Sequence, residues 1–416
     1  MRYPELLLPA KGPEELRCAV SFGADSVYIG GSAFSLRAKS RNFSAEEMRS
    51  GIDFAHRKGA KVYVAANIFA HNRDLESSYQ YFEELFDIKP DGILVSDPGL
   101  FNIAKEICHD IPIHISTQAN NTNYGTFLFW RALGAKRVVC ARELSLLEIG
   151  EIRKHVPKDL EIEAFVHGSM CMSYSGRCLL SNYLTGRDAN QGECSHPCRW
   201  KYSLQEETRP GLFLPIEEDD KGTYILNSAD LNMIEHIPEL IEAGIDCFKV
   251  EGRMKNALYV ATVARAYRRA IDDFKESEDK YRKNIPYYLS ETGKCTVRKF
   301  STGFYFGRPG SDAQIYDEST YSSPYVFLGI FEGTSKEGLG LVRQKNKFSV
   351  GEKIEVMSAE NRADVNLTIK GIWDEEGRSV ESAPHAKQVV SVKLEDEAGK
   401  QYMPQTHDIM RKISSE

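Results

Sequence analysis

Residues 23–30 read Gly-Ala-Asp-Ser-Val-Tyr-Ile-Gly, a helix-ending glycine followed by a short turn and an apolar run of strand length. Glycine closes a helix in the left-handed conformation at no steric cost. The phrase recurs: Gly59-Ala60 precedes 61–65, Gly134-Ala135 precedes 137–140, and Gly244-Ile245-Asp246 precedes 247–250. Such near-continuous apolar runs are expected of parallel strands buried on both faces. Further strands are expected at 5–9, 92–96, 113–116 and 162–166, with helices at 13–22, 45–58, 75–86, 124–133 and 144–155. Eight β/α units in about 250 residues predict an α/β fold of the TIM-type (β/α)8 barrel class. An open doubly wound sheet is the alternative, but Ala10-Lys11-Gly12-Pro13 is not the glycine-rich phosphate loop expected after its first strand.

The barrel is expected to span 1–275, closed by an amphipathic helix at 255–275, with a cysteine-bearing insertion at 168–222 and an extra strand at 224–227. Within that insertion, residues 205–221 read as a solvated acidic stretch. Residues 276–322 read as a polar connecting segment. From 323 to 416 the alternation changes to period two, which predicts a small antiparallel β-barrel. The 416 residues carry 53 basic and 60 acidic side chains, a net charge of −7 that argues against a generic nucleic-acid coat. No apolar run approaches the ~20 residues of a membrane span. The opening residues lack the apolar core of a signal peptide, so a cytoplasmic location without membrane association is expected.

In a barrel, chemistry gathers where the strands end. Those ends place Lys11, Asn67, Asp97, Gln118, Arg142, Glu143, His167, Glu251 and Arg253 at one mouth. His167 is a candidate general acid or base, with Glu163 and Glu251 as candidate catalytic carboxylates; the even offset puts Glu163 on the strand face of His167, where it serves either in catalysis or in a structural pair with an Arg or Lys. Lys249, Glu251 and Arg253 share a face by the same count, either as a binding triplet for a charged substrate or as a self-satisfied ion network. Nine cysteines in a reducing compartment do not suggest disulfides. Four of them, Cys171, Cys178, Cys194 and Cys198, fall within 28 residues, a soft-donor set. The six-residue gap between the first two is too wide for a zinc knuckle, whereas a four-iron cluster tolerates irregular spacing. Zinc and unligated structural cysteines remain the alternatives.

The run Glu163-x-Phe165-x2-Gly168-Ser169-Met170-Cys171-x6-Cys178-x2-Ser181 resembles the motif of the collagenase-like peptidase family, family thirty-two of unknown catalytic type. Leu8-Pro9-Ala10, Asn190-Gln191-Gly192 and Val250-Glu251-Gly252-Arg253-Met254-Lys255 fit the same family, as does the terminal β-domain. The resemblance implies a 4Fe-4S cluster on Cys171, Cys178 and Cys194. For the fourth ligand it favours Cys198, because the alternative cysteine position of the family holds Asn232 here. It also implies oxygen-independent hydroxylation of tRNA wobble uridine at carbon 5, with prephenate as co-substrate. An electron donor and iron–sulfur assembly proteins are implied as partners. A dicarboxylate needs cationic donors, for which Arg142, Arg177, Lys249 and Arg253 are candidates beside Arg187 and Arg199. Tyr174, Tyr183, Trp200 and Tyr202 interleave with those arginines, either as a base-stacking stripe or as the small core of a lid. Two other readings stand beside this one: a peptidase built on His167 and Cys171, and a non-catalytic RNA-binding protein with a structural cluster.

Overall fold

The computed structural model describes residues 3–36, 41–171, 173–200, 218–219, 222–223, 228–295, 298–307, 324–335, 337–360 and 362–414. Eight parallel strands form a closed barrel in chain order: β1 Glu5–Pro9, β2 Ser26–Gly30, β3 Lys61–Ala66, β4 Gly92–Val95, β5 Ile113–Ile115, β6 Arg137–Val139, β7 Glu161–Ser169 and β8 Cys247–Val250. β8 pairs with both β1 and β7, which closes the ring and excludes the open sheet. Alternation within each strand sorts side chains to two buried environments. Leu6, Leu8, Val27, Ile29, Val62 and Val64 join the core under the helices, whereas Leu7, Tyr28, Tyr63, Leu94 and Cys247 form a separate cluster inside the ring.

The helices around the barrel are α1 Pro13–Ser21, α2 Ala45–Arg57, α3 Asn72–Ile88, α4 Pro98–Ile107, α5 Tyr124–Ala132, α6 Leu146–His155, α7 Ile237–Glu242 and α8 Ala257–Glu276, and a short helix, Leu180–Thr185, lies in the insertion after β7. Their starts are chemically specified. Ser44 and Glu47 close a reciprocal capping box on α2, as Ser145 and Glu148 do on α6. α4, which the strand and turn pattern does not list among the expected helices, begins at Pro98 under an Asp97 cap that accepts from Gly99 N at 2.8 Å and Leu100 N at 3.0 Å. Asp97 is therefore a helix cap at the strand end rather than a site residue.

The polar stretch after residue 276 is not an irregular connector. Ser277 caps a further helix, α9 Glu278–Thr292, which tolerates Pro286 in its interior and buries Tyr281 and Tyr288. The expected strand 224–227 lies outside the described residues, as does most of the acidic stretch 205–221. A short strand just beyond it, Asp230–Asn232, pairs antiparallel with His167–Ser169 and parallel with Phe300–Ser301.

The C-terminal strands are β9 Tyr325–Thr334, β10 Gly340–Gln344, β11 Lys353–Met357, β12 Val365–Trp373, β13 Val389–Glu395 and β14 Ile409–Ile413. They close antiparallel in the order β12-β11-β14-β9-β10-β13, with β13 returning to β12. This second barrel has its own interior, including Leu328, Phe331, Val342, Ile369 and Val392. It also lends Phe327, Ile330, Met357, Ala359 and Ile409 to the core of the first. Fully buried Arg265 of α8 pairs with Glu291 of α9 and with Asp364 at the edge of the second barrel. No described helix is long and apolar enough to cross a membrane.

Candidate functional site

The floor of the first barrel is charged. Arg137 on β6, 2% exposed, donates to both oxygens of Glu5 at 3.0 Å, to Glu161 at 2.6 and 2.9 Å, and to Glu163 at 3.2 Å. Burial raises the Glu5 pKa, but the Arg137 guanidinium outweighs it and holds the carboxyl down to about 2. Glu163 is fully buried and takes Lys249 Nζ on its other oxygen at 2.5 Å. His114 on β5 shares this interior, stacked edge-on against Tyr63. Burial and the nearby Arg137 charge push its pKa well down, so it is neutral.

One irregularity in β7 decides what reaches the mouth. Phe165 pairs with Lys249 and His167 with Val250, so β7 advances two residues while β8 advances one. A bulge of this kind shifts the side-chain phase. His167 therefore does not share a face with Glu163, contrary to the even-offset expectation. Its ring packs outside the barrel lumen against Tyr267, Phe300 and Tyr259, with centroids at 5.5, 5.5 and 6.1 Å. Burial lowers its pKa to about 4, which leaves a neutral imidazole in an aromatic nest. The next residue, Gly168, has φ +105°, and a Cβ there would lie 2.2 Å from the Glu251 carbonyl oxygen. Only glycine lets β7 pass that close to the segment after β8.

Above this point a cavity of about 520 Å³ opens at the C-terminal ends of the strands. Its barrel wall carries Tyr28, Phe165, Arg142, Lys249, Glu251 and Arg253. Arg142 lies over the Phe165 ring at 4.1 Å, donates to Ser169 O at 3.0 Å, and stands 3.9 Å from Glu251. Glu251 also accepts from the Tyr28 hydroxyl at 3.3 Å. Arg253 is buried and spends donors on Ser35 and Asn42, so it fastens the loop after β2 as well as lining the cavity.

The opposite wall is the insertion after β7, and Cys171, Cys178, Cys194 and Cys198 all line it. No disulfide joins any of the nine cysteines. The insertion is knit internally by side chains and joined to the barrel through the backbone at Phe69. Asn190 accepts from Cys178 N at 3.1 Å and donates to Cys178 O at 3.0 Å, while its own carbonyl accepts from Phe69 N at 3.1 Å. Ser181, Thr185 and Ser195 hydroxyls interlock at 2.9 Å beside Cys194. Among the described residues no three His, Cys, Asp or Glu side chains converge tightly enough to grip a single ion. All four thiols line one shared cavity, and thiolates are soft donors of the kind that bind zinc or iron–sulfur groups.

Two predicted binding residues are not brought into this cavity. Arg177 is exposed, donates to Gln118 O at 3.0 Å and sits over the Phe69 ring at 5.1 Å. Tyr174 is 57% exposed and does not line the cavity, although Ser173 and Gly176 beside it do. Tyr183 and Trp200 are exposed as well, whereas Tyr202 and the side chain of Arg199 lie outside the described residues. Sequence reasoning passed over His196 and Lys255, both of which line the cavity. The signal for His196 was its place between two of the four cysteines, in Cys194-Ser195-His196-Pro197-Cys198.

The chain matches peptidase family U32 over residues 11–315 and the family's C-terminal domain over 323–404. It is 40% identical to tRNA hydroxylation protein P1 of Bacillus subtilis, across 95% of this chain and 92% of that protein. It is 38% identical to tRNA hydroxylation protein P of Escherichia coli, across 92% of both. The 23S rRNA 5-hydroxycytidine C2501 synthase of Escherichia coli is 33% identical over 76% of this chain and 47% of its own length. With family matches that together cover both barrels, and a relative 40% identical across nearly the whole chain, the protein belongs to peptidase family U32.

Proposed function

We propose that the protein is an RNA-modifying hydroxylase that converts a tRNA wobble uridine to its 5-hydroxy form without oxygen, with prephenate as partner substrate. One observation carries this reading. Four thiols and a set of cations face each other across one cavity, in a chain matched nearly end to end by relatives named tRNA hydroxylation proteins. Cys171, Cys178, Cys194 and Cys198 would hold a 4Fe-4S cluster; thiolates are the donors such clusters use, and the group supplies redox or Lewis-acid chemistry when bound.

The chain's own residues supply the rest. Lys249 and Arg142 offer two cationic donors to the two carboxylates of a prephenate-like ligand, and Phe165 and Tyr28 provide apolar faces for its ring. Glu251 accepts from the Tyr28 hydroxyl and stands 3.9 Å from Arg142, so a carboxylate and a guanidinium share the cavity wall. Tyr174, Tyr183 and Trp200 are exposed aromatics of the insertion and, with exposed Arg177, are the residues on which unstacked bases of an RNA loop would rest. His167 is not assigned an acid–base role, because it lies outside the cavity. The same fact disfavours the peptidase reading, since the neighbouring His167–Cys171 pair is not assembled on one surface.

The test is nucleoside analysis of tRNA from a strain lacking the gene, grown without oxygen. The 5-hydroxyuridine family of nucleosides should vanish and return with the wild-type gene, but not with Cys171→Ala or Lys249→Met. Unchanged nucleosides in the deletion strain would overturn the proposal.

A further inference from the structure

The charges inside the first barrel form an unbroken line from floor to mouth. Glu5 and Glu161 hold Arg137, Arg137 holds one oxygen of Glu163, and Glu163 holds Lys249 on the other. Barrels of this class fill their interior with branched apolar side chains. A buried ion pair gains little over apolar residues of equal volume. Stability therefore gives no reason for the line, and its upper end indicates one. Lys249 is 4% exposed and lines the cavity, with Nζ 4.7 Å from the Tyr28 ring centroid and 5.4 Å from that of Phe165. An ammonium has three N–H donors, and Glu163 is its only hydrogen-bond acceptor among the described residues. A Lys–Glu pair by itself is neutral. Counted whole, the line sets two cations, Lys249 and Arg137, against three carboxylates, with Glu5 and Glu161 held at the floor by Arg137, so the member that reaches the cavity is the ammonium.

We propose that Lys249 is the anchor for a carboxylate of a small ligand, and that Glu163 and Arg137 are positioning residues that fix its ammonium between Tyr28 and Phe165. The proposal rests on reading the cavity as the substrate site. It assigns to the sunken lysine a metabolite carboxylate rather than an RNA phosphate, because the ammonium lies too deep for a polynucleotide backbone.

The experiment is calorimetric titration of the full-length protein with malonate and, separately, with prephenate, at fixed ionic strength. Wild type is compared with Lys249→Met, Glu163→Gln and Arg137→Met, and a malonate-soaked crystal structure locates the ligand. Each variant should weaken malonate binding on the order of tenfold. Glu163→Gln is the decisive arm. It makes the interior more positive, so simple attraction predicts tighter binding, whereas positioning predicts weaker. Unchanged or tighter binding in Glu163→Gln, or wild-type malonate absent or seated away from Lys249, would overturn the assignment. Malonate on Lys249 without prephenate binding would refute prephenate as substrate and leave the positioning intact. An oligonucleotide of the tRNA anticodon loop that displaces malonate from Lys249 would instead assign the site to phosphate and overturn the carboxylate reading. Melting temperatures separate loss of fold from loss of position. Should Arg137→Met not fold, Arg137→Lys, which keeps a charge but not the fork, should still weaken binding several-fold.

Discussion

His167 shows how a side chain with every mark of a catalytic base can be structural. It follows a barrel strand and precedes the cysteines, yet it is 1% exposed among three aromatic rings. Burial holds its pKa at about 4 against an ordinary value of 6.5. The unfolded chain therefore binds the extra proton first, so stability is full above pH 6.5 and falls as pH drops toward 4. The loss amounts to about 3 kcal/mol. Urea unfolding at pH 7 and pH 5 should show this slope in the wild type and a flatter one in His167→Phe. The slope of wild type persisting in that variant would reject the assignment. The cysteines carry the opposite expectation. Cys171→Ala, Cys178→Ala and Cys194→Ala should each lower bound iron in anaerobically purified protein, with little change in melting temperature, because none of the three is a core residue. Cys198→Ala measures whether the fourth thiol is a ligand, and full iron retention there would mean that it is not.

At the scale of elements, the barrel was legible because four of its eight strands, β2, β3, β6 and β8, follow a helix-ending glycine and the rest are apolar runs of strand length. Gly23, Gly59, Gly134 and Gly244 all have φ between 77° and 106°, where other residues are strained. α9 was not legible: its apolar positions are few, Pro286 interrupts it, and its buried tyrosines and paired charges do not make an apolar stripe. The β7 bulge was hidden as well, since alternation in sequence counts residues and cannot show a pairing that skips Val166. That hidden step is what removed His167 from the predicted site while Glu163, Lys249 and Arg137 joined. Two substitutions test these elements. Gly168→Ala must push its methyl into the Glu251 carbonyl and occupy positive φ, which should cost about 2–4 kcal/mol in chemical unfolding. Asn190→Ala removes both hydrogen bonds to Cys178 from an insertion outside the main core. It should reduce bound iron while moving the melting temperature by only a few degrees.

For the molecule as a whole, the second barrel is bound to the first by shared apolar core and by a buried ion cluster around Arg265, Glu291, Asp364 and Arg411. Removing one member strands the others without water, at a cost of about 3–5 kcal/mol. Arg265→Met should therefore split a single thermal transition into two, the C-terminal barrel separating first; a single transition at the wild-type temperature would show that the cluster does not join them. A different consequence follows from where the cysteine insertion leaves and rejoins the chain. Its ends, Ser169 and Asp230, are paired with each other, and the ladder that closes the ring passes directly from β7 to β8. The insertion is a handle clipped shut at its base, and among the described residues it supplies no rung of the barrel. On the function proposed above, the ring can form first from ordinary apolar pairing, and the handle, with the candidate thiols on one excursion, can take up a cluster afterwards as a single act of delivery.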